Sequence, residues 1–217
     1  LDYSHGNFKL LLTRPVTVVS NTLTRPVATT APGRIVLASY NVENLGGEAS
    51  RARVVAIAAQ IVQTLGAPHL LALQEIQDDD GVANTGTVSA DATLGRLSAE
   101  LQALTGRTYR HVVVDPIDLA DGGVPGGNIR QAFLYDAARI GFAGPVGGPR
   151  DAIRVHAGPD GRASLNPGAG RLDPTHRAFT NSRKPLVAAF TVDGQPLLVI
   201  NTHFNSKGPD HPLFGAA

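Results

Sequence analysis

The chain has no cysteine, no methionine and no tryptophan. Without thiols there is no disulfide framework, no cysteine nucleophile and no cysteine-based zinc site. Without methionine, residue 1 is not an initiator, so the lack of a leader peptide says nothing about targeting. Charge of one sign is barely in excess, with a formal net charge of +1. Nothing global draws this chain to a polyanion, although a local basic patch stays open. No apolar run approaches the length that spans a bilayer. What is present is an ordinary apolar fraction, 42% of 217 residues, enough for one domain or one domain plus a tail.

Three regions follow from the patterning. Residues 1–33 are rich in Thr, Pro and Val and read as an arm, with one strand near Phe8–Leu12 and then an extended linker. Residues 34 to about 205 carry the regular pattern. A strand over 34–40 precedes a helix over 51–65, where Val54, Ile57, Ala58, Ile61, Val62 and Leu65 share one face. Ala67-Pro68 stops that helix, a strand follows over 69–73, and Leu94, Leu97, Leu101 and Leu104 mark a second helix over 91–105. Further strands are predicted at 109–114, 130–135, 186–192 and 197–202, the last two joined by a turn at Asp193-Gly194. The Gly-, Pro- and Arg-rich segment 143–178 reads as a long irregular excursion. This order implies an α/β domain with sheets packed face to face and helices outside.

Four polar residues stand at the borders of the apolar runs: Asn41, Glu75, Arg183 and His203. Their chemistry suits metal-assisted attack on a phosphate. A carboxylate offers hard oxygen to Mg²⁺ or Ca²⁺, a guanidinium offers a forked donor to phosphate oxygens, and an imidazole moves protons near neutral pH. Each also has a bland reading: Asn41 as a turn cap, Arg183 as a surface cation, His203 as a satisfied core histidine. Glu43, Gln77 and the run Asp78-Asp79-Asp80 read as solvated. Asn128 and Arg130 either hold phosphate or start an exposed strand.

In their order these residues resemble the endonuclease/exonuclease/phosphatase superfamily, the deoxyribonuclease I-like fold. Asn41-Val42-Glu43-Asn44 is similar to its first Asn motif, Gln74-Glu75 to its metal-ligand motif, Ser182-Arg183-Lys184-Pro185 to its Ser-Arg-(Glu/Lys)-Pro element, and His203 to its active-site histidine. Leu1-Asp2-Tyr3-Ser4, Gly126–Tyr135 and Asn201–Gly208 bring it nearest to bacterial extracellular nucleases. The resemblance implies a four-layered α/β sandwich, two packed mixed sheets flanked by helices, over residues 34–217, with residues 1–33 as the arm or linker from a preceding domain. It implies a divalent-metal-dependent phosphodiesterase, a secreted nuclease in the extracellular space or periplasm, acting on DNA or RNA. Mg²⁺, with Mn²⁺ or Ca²⁺ as alternatives, would be held by Glu75 and Asn41. His203, Arg183, Asn41 and Glu75 would be catalytic, and Asn128, Arg130, Asn205 and Lys207 would bind substrate.

The family's later Gly-Asp-x-Asn and Ser-Asp-His elements do not occur in this sequence. The expectation is therefore an N-terminal two thirds of such a domain, completed and activated by a second polypeptide segment. Two alternatives stand: a phosphoesterase of the same fold acting on phospholipid or inositol phosphates, and a non-catalytic fragment.

Overall fold

The computed structural model describes residues 1–4, 7–15, 17, 26–29, 31–142, 144–158 and 161–204. The chain divides into two compact units, Leu1–Arg25 with Phe204–Ala217, and Pro26–His203. In the first, β1 (Asp2–Ser4) pairs antiparallel with β2 (Asn7–Lys9), placing the Tyr3 and Phe8 rings 4.9 Å apart. In the second, Pro26–Gly33 belongs with the regular elements, and Ala28 N–H donates to Thr64 O at the end of the first helix.

The second unit begins with β3 (Leu37–Leu45), α1 (Arg51–Gln63), β4 (Leu70–Ile76), α2 (Asp91–Thr105), β5 (Tyr109–Val113) and β6 (Arg130–Asp136). The four strands form one mixed sheet in the order β3-β4-β6-β5, with β3 and β4 parallel and the other pairs antiparallel. There follow β7 (Ile140–Phe142), β8 (Arg154–Ala157), β9 (Ala163–Asn166), β10 (Ala169–Arg171), β11 (Leu186–Val192) and β12 (Gln195–Asn201). β11 is central to a second sheet, paired with β12 along its length and with β10 and β7 at its two ends. The β11–β12 turn is Asp193-Gly194, both at positive φ (49° and 74°), as a two-residue hairpin requires.

The excursion over 143–178 is more regular than its composition implies. It holds the β8–β9 hairpin, β10 and a single 3-10 turn at Arg177–Phe179. The hairpin strands are exposed, so they carry no apolar alternation from which they could be read.

Two cores lie on opposite faces of the first sheet. On one face Ile57 and Ile61 of α1 and Leu94, Leu97 and Leu101 of α2 meet Leu71, Leu73, Ala132 and Leu134. On the other, Leu70, Val112, Phe133 and Tyr135 meet Ile140, Leu186, Ala188 and Phe190 of the second sheet. Every residue of β6 is buried, because alternate side chains serve alternate cores. Phe133 and Phe190 pack edge to face across the sheets at 5.3 Å. The fold is thus an α/β sandwich of helices, sheet and sheet, and both α-helices of the described residues cover the first sheet.

The helix ends explain part of the sequence. Ser50 Oγ caps α1 by accepting from Arg53 N. The N-terminus of α2 has no cap of its own; Asp79 Oδ1 accepts from Thr93 N, and Asp79 Oδ2 from Ser89 Oγ. Gly106 ends α2 in the left-handed conformation. Asp78 is wholly buried, its Oδ1 accepting from Gly81 N and its carbonyl from Thr93 Oγ1 and Gly47 N. Gln77 is wholly buried as well, donating to Asn44 Oδ1. The solvated reading of Gln77, Asp78 and Asp79 is corrected: Gln77 ties to the Asn44 side chain, and Asp78 and Asp79 satisfy backbone N–H groups around α2, while half-buried Asp80 accepts from Thr85 Oγ1.

Candidate active site

The site grows from a fault in the first sheet. Between Leu73 and Ile76, β4 takes three residue steps where β6 takes two, from Ala132 to Arg130. Between Asn41 and Leu45, β3 takes four steps where β4 takes two, from Gln74 to Ile76. Glu43, Asn44 and Glu75 supply the extra residues at positive φ, 56°, 56° and 62°. A bulge re-aims side chains. Strict alternation after Leu73 would send Glu75 into the core under the helices; the bulge turns it out to the rim and returns Ile76 to that core. A non-glycine residue held in the left-handed region costs about 1–3 kcal/mol, and such outliers cluster at functional sites.

The other two members come from the second sheet. Leu186 and Asn201 are register partners at one end of the β11–β12 pair. Arg183 lies just ahead of that end and His203 just beyond it, so both overhang the same edge. The chain segments carrying them are fixed by buried polar groups. Asn201 Nδ2 donates to Leu73 O (2.8 Å) and Ala132 O (3.0 Å), and its Oδ1 accepts from Gln74 Nε2 (2.6 Å), which ties β12 to β4 and β6. Lys184 Nζ donates to Asp121 Oδ1 (2.6 Å), and Arg171 pairs with Asp121 Oδ2 (2.8 Å). Gly122, at φ 74°, leaves room for the facing loop, since a Cβ there would lie 2.8 Å from Asn181 O.

Together these elements bring the four expected residues into one row of contacts. Asn41 Nδ2 donates to Glu75 Oε1 at 2.8 Å, and Asn44 N donates to Glu75 Oε2 at 3.1 Å. His203 Nε2 lies 3.5 Å from Glu75 Oε1 and 3.5 Å from an Arg183 terminal nitrogen. Those two contacts compete for one ring nitrogen: Glu75 needs a proton there, Arg183 a lone pair. Burial and the Arg183 charge push the His203 pKa below its ordinary value, while Glu75 pulls it back up. Asn41 is exposed; Glu75, His203 and Arg183 are half-buried, which leaves the row open to a ligand.

No protein-family model matches the chain, and no curated protein does. Among solved structures the chain is similar to an endonuclease/exonuclease/phosphatase family protein from Leptotrichia buccalis C-1013-b, at 12% identity and a TM-score of 0.48, over 81% of this chain and 57% of that one. It is similar to a D. rerio TDP2 humanized by 14 mutations, at 15% identity and a TM-score of 0.34, over 76% and 48% of the two chains. It is also similar to D. rerio TDP2 complexed with a single-strand DNA product, at 15% identity and a TM-score of 0.33, over 76% and 44%. The chain thus spans about half the length of the structures it resembles.

The remaining expected residues fall elsewhere. Arg130 is buried, paired with Asp115 Oδ1 at 2.7 Å and donating to Asn128 O and Val88 O. Asn128 is buried too, its Oδ1 accepting from Leu119 N (2.7 Å) and its Nδ2 donating to Thr87 O (2.9 Å) and Asp118 Oδ1 (3.1 Å). The substrate-binding reading of both is corrected: their polar atoms brace the loops before β6. Lys184 likewise faces Asp121 rather than a basic groove. Asn205 and Lys207 lie outside the described residues. Sequence reasoning assigned no role to Asn201 and Gln74. The signal was available, a pair of amides at the inner ends of apolar strands, where a buried amide must find partners.

For a divalent cation the donor set is lean but suitable. No group of three or more His, Cys, Asp or Glu side chains converges to hold a metal among the described residues. Glu75 gives one hard carboxylate; Asn41 turns its Nδ2 to that carboxylate and accepts from Glu43 N at Oδ1 (2.8 Å), so its contribution to a cation would come through the second lone pair of Oδ1. Mg²⁺ accepts this, because it keeps several waters and binds through one or two carboxylates plus substrate phosphate.

Proposed function

We propose that this chain carries the reacting face of a divalent-metal-dependent phosphodiesterase that hydrolyses nucleic acid, DNA or RNA, outside the cell or in the periplasm. The observation that carries the reading is the meeting of Asn41, Glu75, His203 and Arg183, from four separate chain segments, in contacts of 2.8, 3.5 and 3.5 Å. Unlike polar groups gathered at partial burial require a ligand or mutual pairing. Glu75 and Asn41 would hold a divalent cation, Mg²⁺ with Mn²⁺ or Ca²⁺ as alternatives, which would supply charge neutralisation at a phosphoryl oxygen. Arg183 donates to the phosphoryl oxygens and stabilises charge that grows on them. His203 holds or moves a proton at Nε2, its position between an acid and a base making either role accessible. Localisation rests on the resemblance of Gly126–Tyr135 and Asn201–Gly208 to extracellular nucleases.

A second polypeptide segment completes the sandwich in this reading. β3 and β12 are edge strands among the described residues, and between them lies a cavity of about 320 Å³ lined by Leu37, Ala72, Phe133, Val199 and Ile200 among others. An apolar cleft between two open edges accepts a further strand. The test is plasmid nicking with Mg²⁺, Mn²⁺ or Ca²⁺ against chelator, beside a lipid phosphodiester, using residues 1–217 alone and the chain with any segment that copurifies. Chelator-sensitive nicking is expected only with the segment. Nicking that resists chelator, or cleavage of the lipid alone, overturns the nuclease reading. Nicking by residues 1–217 alone removes the second segment.

A further inference from the structure

Four loops meet at the end of the first sheet opposite Glu75. They are the turn before β3, the α1–β4 loop, the α2–β5 loop and the β6–β7 turn, bringing Gly33, Arg34, Gly66, His69, Arg107 and Arg139 around a cavity of about 260 Å³. Three guanidiniums line it. Asp136 is the acid in reach, 3.7 Å from Arg107 Nε, so the wall keeps an excess of two positive charges (three minus one). Arg107 is braced by its bond to Ala67 O at 2.6 Å. Among the described residues Arg34 and Arg139 make no side-chain hydrogen bond or ion pair, and Arg34 is exposed. His69 is buried, and its Nδ1 accepts from Val36 N at 3.0 Å, which places the ring proton on Nε2. Burial first, then Arg107 and Arg139, push its pKa below the ordinary value, while Asp136 pulls it back up.

We propose that this cavity is an anion-binding site for a single phosphate group, free or at the end of a nucleotide, gripped by Arg34, Arg107 and Arg139 with His69. Guanidinium forks match phosphate oxygens. The cavity is smaller than the roughly 300 Å³ at which drug-sized ligand sites begin, so the ligand is small. The seven residues of β4 separate it from Glu75 by roughly 20 Å at the usual strand rise, so the bound group is not the one being cleaved. A ligand there ties four loops together and stabilises the unit. The two sites share no residue, so failure at one leaves the other standing.

The experiment titrates the full chain with inorganic phosphate and with adenosine 5′-monophosphate by calorimetry, at fixed ionic strength. Thermal unfolding in phosphate is compared with chloride. Saturable binding and a raised Tm are expected. The Arg34→Ala/Arg139→Ala variant, which removes guanidiniums with no internal partner, weakens binding about tenfold or more per guanidinium, the worth of a charge-assisted hydrogen bond. Arg154→Ala, which removes an exposed guanidinium belonging to neither site, leaves binding unchanged. A nucleotide that binds more tightly than phosphate, with the same sensitivity, identifies a terminal nucleotide phosphate; equal binding identifies free phosphate. Absence of saturable binding overturns the site. So does binding that survives the double variant, or binding that Arg154→Ala abolishes.

Discussion

Two kinds of polar cluster, built from similar residues, end differently in this fold. In the closed kind, Arg130 with Asp115 and Lys184 with Asp121 and Arg171, the two guanidiniums are buried, Lys184 is half-buried, and all three are bonded to carboxylates or backbone carbonyls. In the open kind, Asn41, Glu75, His203 and Arg183 touch one another at partial exposure, and one imidazole nitrogen has two competing neighbours. The difference teaches that a motif residue announces chemistry only when its own chain leaves it something to do. Burial with full pairing marks a brace; partial exposure with shared contacts marks a place for a ligand.

The contrast breaks most visibly in rate. On the proposed function, Glu75→Gln should abolish metal-dependent turnover, measured on the chain with any segment that copurifies, because a neutral amide is a poor Mg²⁺ ligand. His203→Ala lowers turnover by about 10²–10⁴-fold. Both half-exposed positions leave unfolding free energy within about 0.5 kcal/mol, read by urea denaturation. Wild-type rates in both variants would remove the open cluster from the mechanism.

Asp121→Ala inverts that pattern. It strands Arg171 as a buried cation and leaves Lys184 only Ala120 O, and stability falls by about 3–5 kcal/mol. Denaturation at neutral pH reads this directly, and a loss below about 1 kcal/mol would mean that the pair is not a brace. Arg183→Lys is milder. It keeps charge but loses the planar fork, so kcat/KM falls by about 10–100-fold, one charge-assisted hydrogen bond converted to a barrier.

The smallest effect is in pH. The folded pKa of His69 lies below the 6.5 of the free side chain. Its contribution is therefore complete above the unfolded value and is lost as pH falls through the folded one, when Nδ1 takes a proton and can no longer accept from Val36 N. His69→Asn offers an uncharged acceptor in the same place. Between pH 7 and 5 the wild type should lose about 0.5–1.5 kcal/mol more than this variant, one hydrogen bond's worth. Parallel stability curves would show that His69 does not titrate against the fold.

The sequence made the helices and the buried strands legible for a physical reason: each has one apolar face or a continuous apolar run. α2 runs over Asp91–Thr105, as its leucine spacing predicts. β3 runs on to Leu45, beyond the predicted end at 40, because the bulge that carries Glu43 and Asn44 has no hydrophobic period. The exposed β8–β9 hairpin left no trace in composition for the same reason. The four-residue row was legible because each member stands at the border of an apolar run. Asn128 and Arg130 misled because a polar pair after two glycines looks alike whether it faces solvent or braces a loop. Only the positions of Thr87, Val88, Asp115 and Leu119, remote along the chain, distinguish the two.

The register of β4 against β6 has a further meaning. Leu73 and Ile76 serve the same core, and Gln74 faces the other sheet through Asn201. Without Glu75, the sequence Leu73-Gln74-Ile76 would alternate without a break. The acid is thus an insertion of one residue into a strand that is complete without it. A chain lacking residue 75 should fold into the same sandwich with a straight β4, and what would vanish is the left-handed kink and the carboxylate it presents. Selection for folding alone would let that residue go.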